Sequence, residues 1–255
     1  MRQAIGAEWA KAWSVPGTAW LLAGLAALTV AAGSGSVAAA RCPAAGCGQD
    51  PATISLVGVY VAQAVAALAG VAAIGGEYAT GMIRVTLTAV PRRTHVLAAK
   101  ALVLAGPALA VAAGSVGASA LAGQIVLPGH GFTAAHGFDL ASGAMWRADG
   151  CAVAYLVLVA LLGLGVTAAV RDSAVATGIV LGILYLFPVA AGLVTSQTVQ
   201  RRLEQIGPMP AAMDSFATEG LRGLPLSPWQ GLGVVALWAV GALVLGGLAL
   251  WCRDA

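Results

Sequence analysis

The sequence predicts an all-α membrane protein with six transmembrane helices and an N-terminal helix that lies in the membrane interface. Its 255 residues are 60% hydrophobic and only 9% charged, with a mean hydropathy of +0.89, whereas soluble domains carry roughly 25% charged residues. The charges leave six uncharged stretches, each longer than the roughly 20 residues that a helix needs to cross a bilayer. The apolar residues within them run continuously instead of alternating, which favours helices over barrel strands.

The six uncharged stretches place the spans along the chain. We expect them near residues 19–40, 53–75, 98–127, 151–170, 174–195 and 231–251. Residues 76–97 would then form a polar loop between the second and third spans, and residues 196–230 a long loop before the sixth. The chain is predicted to be a single transmembrane domain over residues 1–255. Its net charge of +3 is too small for a nucleic-acid-binding face.

The segment before the first span has the pattern of an interfacial helix. Trp9 and Trp13 recur four residues apart, while Glu8 and Lys11 lie three apart on another face. Pro16 is expected to break this helix before the span begins. The alternative is a helix end anchored by Trp, since Trp favours the headgroup level in any membrane protein.

The basic residues predict the topology, because Lys and Arg collect in cytoplasmic loops. With both termini inside, eight basic residues are cytoplasmic and five are external. The eight are Arg2, Lys11, Arg84, Arg92, Arg93, Lys100, Arg171 and Arg253. We therefore expect a multi-pass protein of the cell inner membrane with both termini in the cytoplasm.

Two of the four cysteines share the first external loop of this topology. Cys42 and Cys47 would be in an oxidising compartment, where a disulfide can form. Spacing and side leave the disulfide and a pair of free thiols both open. No metal-ligand spacing is present, and we expect no metal site.

Enzyme signatures are absent from the sequence. The only lysines are Lys11 and Lys100, and no Gly-rich loop ends in Gly-Lys-Ser/Thr, so this chain cannot hold a nucleotide triphosphate in the Walker manner. We expect a non-enzymatic chain that binds no cofactor itself. Polar side chains within the spans either line a translocation path or hydrogen-bond between helices; the candidates are Thr29, Gln63, Thr167 and Thr177.

The loop after the second span is the most informative segment. It contains one acid, Glu77, at the predicted membrane edge, where Arg84 or Lys100 would be its partner. Ile83 and Leu87 are apolar although they lie outside any span, which indicates a short helix that docks onto another surface. Pro91 would end that helix, because proline disfavours a helical residue before it.

These residues resemble the membrane subunits of bacterial ABC transporters of the ABC-2 permease family. The family pattern is matched by Glu77, Gly81, Arg84, Leu87, Pro91, Arg93 and Lys100. The start, Glu8-Trp9-x-Lys11, is similar to that family's interfacial helix, and Ser227–Gln230 is similar to the segment before its last span. Met82 departs from the usual Thr after the glycine of the motif.

The resemblance implies the transmembrane domain of an ABC-2 (type V-like) exporter. The loop around Glu77 would be the coupling helix, which inserts into a separate ABC ATP-binding subunit carrying ATP and Mg²⁺. A second permease copy and membrane lipid would complete the assembly. Residues Val199–Ile206 in the loop before the sixth span would form a short amphipathic helix, or a solvated loop broken by prolines.

A second function class stays open beside the exporter. The same loop would serve a non-transporting membrane anchor or immunity-type protein that only docks a cytoplasmic partner. An adjacent gene for an ATP-binding cassette protein would favour the exporter. A docked ATPase whose hydrolysis responds to no substrate would favour the anchor.

Overall fold

The computed structural model describes residues 2–14, 16–42, 50–83, 93–132 and 142–252. Regular structure within these ranges is helical, and they contain no strand. Six of the helices are long and apolar enough to cross a membrane. The predicted all-α class and the predicted number of spans are therefore confirmed.

Most of the described residues belong to α-helices. In chain order they are α1 (Arg2–Ser14), α2 (Pro16–Ala39), α3 (Pro51–Ser55), α4 (Val57–Thr80), α5 (Arg93–Val126), α6 (Gly143–Val170), α7 (Ser173–Leu193), α8 (Gln197–Ile206), α9 (Pro208–Phe216) and α10 (Pro228–Cys252). Short 3-10 turns cover Leu127–His130 and Leu221–Gly223. The six candidate spans are α2, α4, α5, α6, α7 and α10.

Several helix boundaries differ from the predicted span boundaries, and two of them have a clear cause. The second span begins at Val57 and not at residue 53, because Asp50 caps a separate short helix, α3, by accepting a hydrogen bond from the amide of Ala52 at 3.0 Å. The fourth begins at Gly143 and not at residue 151. Charges at positions 147 and 149 mark the edge of the hydrocarbon, but a helix can continue past that edge into the headgroup region.

Helix α6 is the centre of the bundle. It packs against α4, α5, α7 and α10, and its side chains Tyr155, Leu156 and Leu162 are fully buried. Gly70 of α4 allows α4 and α6 to approach closely, because a Cβ atom there would overlap the carbonyl oxygen of Ala160. Small residues at helix contacts are a common basis of packing between membrane helices.

The bundle has two ends that we name by their carboxylates. The Glu77 end holds α1, the α4–α5 connection and the C-terminal ends of α6 and α10, where Arg171 donates a hydrogen bond to the carbonyl of Ala249 at 2.9 Å. The Asp50 end holds α3, α8, α9 and the start of α10. Each candidate span runs from one end to the other.

Candidate functional site

A cluster of four charged side chains joins three helices at the Glu77 end. Glu77 comes from the last turns of α4, Lys100 from the first third of α5, and both Glu8 and Lys11 from α1. The Lys100 ammonium donates to Glu77 Oε1 at 2.6 Å and to Glu8 Oε2 at 2.8 Å. Its third hydrogen bond goes to the carbonyl of Ala73 at 3.3 Å, so all its protons are used.

Lys11 completes the cluster and is its most exposed member. Its ammonium donates to the same Oε1 atom of Glu77 that accepts from Lys100. The order of contacts is therefore Glu8, Lys100, Glu77, Lys11, and the formal charges sum to zero. Sequence reasoning offered Arg84 or Lys100 as the partner of Glu77; the structure brings Lys100 there, while Arg84 lies outside the described residues.

The cluster is buried to a degree that is unusual for charges. Glu77 and Lys100 are each only 2% exposed. Glu77 Oε2 is enclosed and has no hydrogen-bond partner within the described parts of the chain. Burying an ion pair costs about as much solvation as the pairing returns, so a buried pair is weak evidence for a gain in stability. Its clearer effect is to hold α1 in one position against α4 and α5.

The predicted coupling loop is shorter than expected. Helix α4 continues through Glu77 to Thr80, and α5 begins at Arg93, so the connection covers residues 81–92 and not 76–97. Gly81 ends α4 with φ +70°, the left-handed conformation that glycine adopts readily. After it, Ile83 is buried against the helical core.

Most of the remaining motif lies outside the described structure. This is true of Arg84, Leu87 and Pro91, and of Arg93 the backbone alone is described. The structure therefore brings together Glu77 and Lys100 from the motif, and adds Glu8 and Lys11 from the segment that was predicted as the interfacial helix. Two separate sequence patterns thus meet in one cluster.

The two tryptophans of helix α1 are exposed. Trp9 and Trp13 are 48% and 56% exposed and contact each other edge to face, with ring centroids 5.7 Å apart. The helix ends at Ser14 and α2 begins at Pro16, which is where the sequence predicted the break. Exposed tryptophans beside buried charges are typical of a helix at the headgroup level.

The four polar residues proposed for a translocation path do not share one cavity wall. Thr29, Thr167 and Thr177 each donate to a carbonyl of their own helix four residues earlier. Gln63 lies between α4, α6 and α9, where it accepts from the Tyr155 hydroxyl and donates to the sulfur of Met209. Gln63 therefore bonds between helices, which is the alternative that the sequence left open, whereas the three threonines bond within their own helices.

Of the three described cysteines, one forms a disulfide and two are free thiols. Cys42 is disulfide-bonded, and its predicted partner Cys47 lies outside the described residues. Cys151 is buried and free, and Cys252 is exposed and free.

The Asp50 end is held by bonds from side chains to backbone. Besides capping α3, the Asp50 carboxylate accepts from the amides of Thr218 and Glu219 and from the Thr218 hydroxyl. Arg147 donates to the carbonyls of Ser215 and Ala217, at 2.9 and 2.5 Å. Sequence reasoning did not single out either residue, although Asp before Pro is a recognisable helix-start signal.

Asp214 of α9 is a titratable group at the Asp50 end. The pKa of its carboxyl is raised to about 6, chiefly by burial. A hydrogen bond from the Leu226 amide at 3.2 Å opposes this rise, and the nearby Glu204 adds to it. Of the two alternatives for residues 199–206, the structure has the short helix, α8. Pro208 lies after α8 and begins the next helix, α9. Proline at the first helical position fits because its missing N–H has no partner there anyway.

Comparison with known proteins adds no family to this picture. No protein-family model matches the chain, and no curated protein matches it. The structure defines its class as an all-helical protein with six candidate membrane spans.

Proposed function

We propose that this chain is the permease subunit of an ATP-binding cassette exporter of the ABC-2 type. It would move a substrate across the cytoplasmic membrane with energy from ATP hydrolysis on a separate subunit. The observation that carries the proposal is the four-charge cluster, which fastens the interfacial helix α1 to both helices that flank the 81–92 connection. If residues 81–92 are to transmit movement from a partner subunit, the helices on either side of them must be held firmly to the rest of the protein.

The positions of the two lysines support the proposal that ATP is bound and hydrolysed by a separate subunit. Lys11 and Lys100 are the only two, and both are engaged in the cluster. Neither follows a Gly-rich loop or precedes Ser or Thr, as the lysine of a nucleotide-binding P-loop does. ATP and Mg²⁺ would therefore bind to the partner subunit, and no catalytic residue is assigned to this chain.

The mechanism follows from which parts are joined. The ATP-binding subunit would bind the basic and apolar residues 84–93, with Arg84, Leu87 and Arg93 among its contacts. Its movement would pull on the ends of α4 and α5, and the cluster would carry that displacement to α1. Two copies of the permease, identical or different, would then rock between inward-open and outward-open states.

The orientation belongs to the same proposal. Both termini and the 81–92 connection would face the cytoplasm, where ATP is present, and the Asp50 end would face outside. The disulfide at Cys42 supports this orientation, because it lies at the end that would meet an oxidising compartment.

Site-specific photo-cross-linking tests the contact with a motor. A photoreactive phenylalanine analogue at Leu87 should cross-link to an ATP-binding subunit in native membranes. The same analogue at Leu221, which is exposed at the Asp50 end, should not. Cross-linking to an ATP-binding subunit from Leu221 and not from Leu87 would contradict the proposal.

A distance measurement separates an exporter from a membrane anchor. Leu193 is 80% exposed at the Asp50 end, so a spin label on Leu193→Cys in each of two copies reports movement there; Cys151 and Cys252 are replaced beforehand. We expect the distance to change between ADP and ATP with vanadate, and Glu77→Ala to abolish the change. An anchor would bind the ATPase with an unchanged distance.

A further inference from the structure

A cavity opens beside the charged cluster, between α1, α2, α4 and α5. It contains about 110 Å³ of free volume, several times the roughly 10 to 15 Å³ that one water needs. Glu8, Lys11 and Lys100 line one part of it. The cavity therefore has a charged part beside the cluster, which we call its mouth, and a further space between the helices.

The rest of the cavity wall is apolar. Leu22 of α2 and Leu104 of α5 line it, and the small side chain of Ala72 on α4 leaves the space open. Trp13 of α1 also lines it, and Trp20 near the start of α2 is 77% exposed. Exposed tryptophans mark the headgroup level of a bilayer, so the mouth lies at that level and the apolar wall below it.

The charged side chains that line the cavity are Glu8, Lys11 and Lys100, and their formal charges sum to +1. Lys100 has all its protons bound, but Lys11 is one-third exposed and, among the described residues, forms an ion pair with Glu77 alone. Trp13 and Thr18 also line the cavity, and each carries a donor, an indole N–H and a hydroxyl, that has no acceptor among the described residues. Three donors around one space suit a group that only accepts hydrogen bonds and carries negative charge, such as a phosphodiester.

We propose that this cavity binds a phospholipid of the surrounding leaflet. The phosphate would accept hydrogen bonds from Lys11, Trp13 and Thr18, and the first part of one acyl chain would lie along Leu22 and Leu104. A free phosphate would leave the apolar wall without a partner. A helix of a second copy is 10–12 Å wide, too thick to enter a cavity of this volume. The site does not depend on the exporter function.

The bound lipid would also contact the part of the protein that holds α1 in place. Its phosphate would lie beside Lys11, which reaches Glu77 in the cluster. Lipid binding would therefore stabilise the position of α1 against α4 and α5 by occupying the space between them. Binding to the folded state alone raises its stability according to the lipid concentration.

Native mass spectrometry of the delipidated protein in detergent tests the proposal. The probes are dioleoylphosphatidylglycerol and dioleoylglycerol, which share their acyl chains and differ by the phosphate headgroup. We expect phosphatidylglycerol to bind at least tenfold more tightly, because charge-assisted hydrogen bonds favour it. Equal binding of the two lipids would overturn the role of the phosphate.

Two variants locate the site. Ala72→Phe should fill the cavity and weaken phosphatidylglycerol binding about tenfold, while Ala110→Phe, at another exposed alanine within a span, should leave it unchanged. The pair Thr18→Val with Trp13→Phe removes two donors without altering the charged cluster and should weaken binding about threefold to tenfold. Wild-type affinity in Ala72→Phe or in the donor pair would overturn the site.

A competition experiment identifies the source of the phosphate. Inorganic phosphate at the concentration of the lipid should leave phosphatidylglycerol bound, because it has no acyl chain for the apolar wall. Displacement of the lipid by inorganic phosphate would overturn the lipid as occupant. The midpoint of thermal unfolding of each variant without lipid shows that the protein under test is folded.

Discussion

The two ends of the bundle hold their segments by different chemistry. At the Glu77 end, four charged side chains bond mainly to one another and join α1, α4 and α5. At the Asp50 end, Asp50 and Arg147 bond mainly to backbone amides and carbonyls of residues 215–219. One end depends on matched charges between helices, and the other on single charges that satisfy the backbone of a connection.

This difference has consequences for what each end can do. A cluster of opposite charges is neutral as a whole but sensitive to the loss of any member, since the others stay buried. A carboxylate bonded to backbone amides positions one connection, as Asp50 does for residues 218 and 219, and does not pair with a charge on another helix. The Glu77 end is therefore suited to transmitting a displacement between helices. The Asp50 end is suited to holding residues 215–219 in place.

The largest expected effect comes from removing the central acid of the cluster. Glu77→Ala should lower the free energy of unfolding by about 3 kcal/mol or more, because Lys100 stays buried with one carboxylate where there were two. Thermal unfolding can be followed by a thiol-reactive dye on the buried Cys151 in a Cys252→Ser background. The control, Glu219→Ala, removes an exposed acid at the Asp50 end and should change stability by less than about 0.5 kcal/mol. Equal losses in both variants would remove the contrast between the ends.

The helix contact that connects the two ends can be broken at one glycine. Gly70→Ala should destabilise the protein by about 3 kcal/mol, because its Cβ atom would overlap the Ala160 carbonyl and force α4 away from α6. Gly76→Ala on the same helix has nothing within 4 Å of its new Cβ and should be neutral or stabilise by up to about 1 kcal/mol. The same unfolding measurement applies, and a neutral Gly70→Ala would show that the helices are not in close contact there.

At the Asp50 end the expected effect is smaller and more local. Asp50→Ala should cost about 2 kcal/mol, since the amides of Thr218 and Glu219 lose their acceptor together with the cap of α3. Asp172→Ala removes a cap that serves only α7 and should cost about 1 kcal/mol. Hydrogen exchange read by mass spectrometry should accelerate at residues 217–220 in Asp50→Ala alone. Acceleration there in Asp172→Ala would contradict the assignment.

The smallest effect is a pH dependence confined to the Asp50 end. Because burial raises the pKa of Asp214 to about 6 from 3.8, the folded state binds its proton more tightly than the unfolded state. The stability from this group is then present at pH 4 and lost as the pH rises towards 6, by about 1 kcal/mol after solvent screening. Asp214→Asn should flatten the stability profile between pH 4 and pH 6 relative to the wild type. An unchanged profile would contradict the raised pKa.

Much of the fold follows from local properties of the sequence. Hydropathy and the spacing of charges are read along the chain, so the number of spans was predicted and is confirmed. The break between α1 and α2 and the short helix α8 also follow from nearby residues. Helix α6 begins at Gly143, before the span predicted from residue 151, because Arg147 and Asp149 mark where the hydrocarbon ends and not where the helix begins.

The contacts of single polar residues were beyond prediction. Gln63 was a candidate for a translocation path, yet it bonds to Tyr155 and Met209, which are distant in sequence. Asp50 reaches Thr218 in the same way. Hydropathy and periodicity report which residues face inward, but not which inward-facing residue of another helix lies opposite.

The sequence by itself determined that this chain is helical, apolar and divided into six candidate spans, because those properties depend on composition and on spacing within each segment. Only the tertiary structure decided that Glu8 and Lys11 join Glu77 and Lys100 in one buried cluster. The physical reason is that an ion pair needs its atoms within a few ångströms, and that separation is set by how three helices pack and not by the order of their residues.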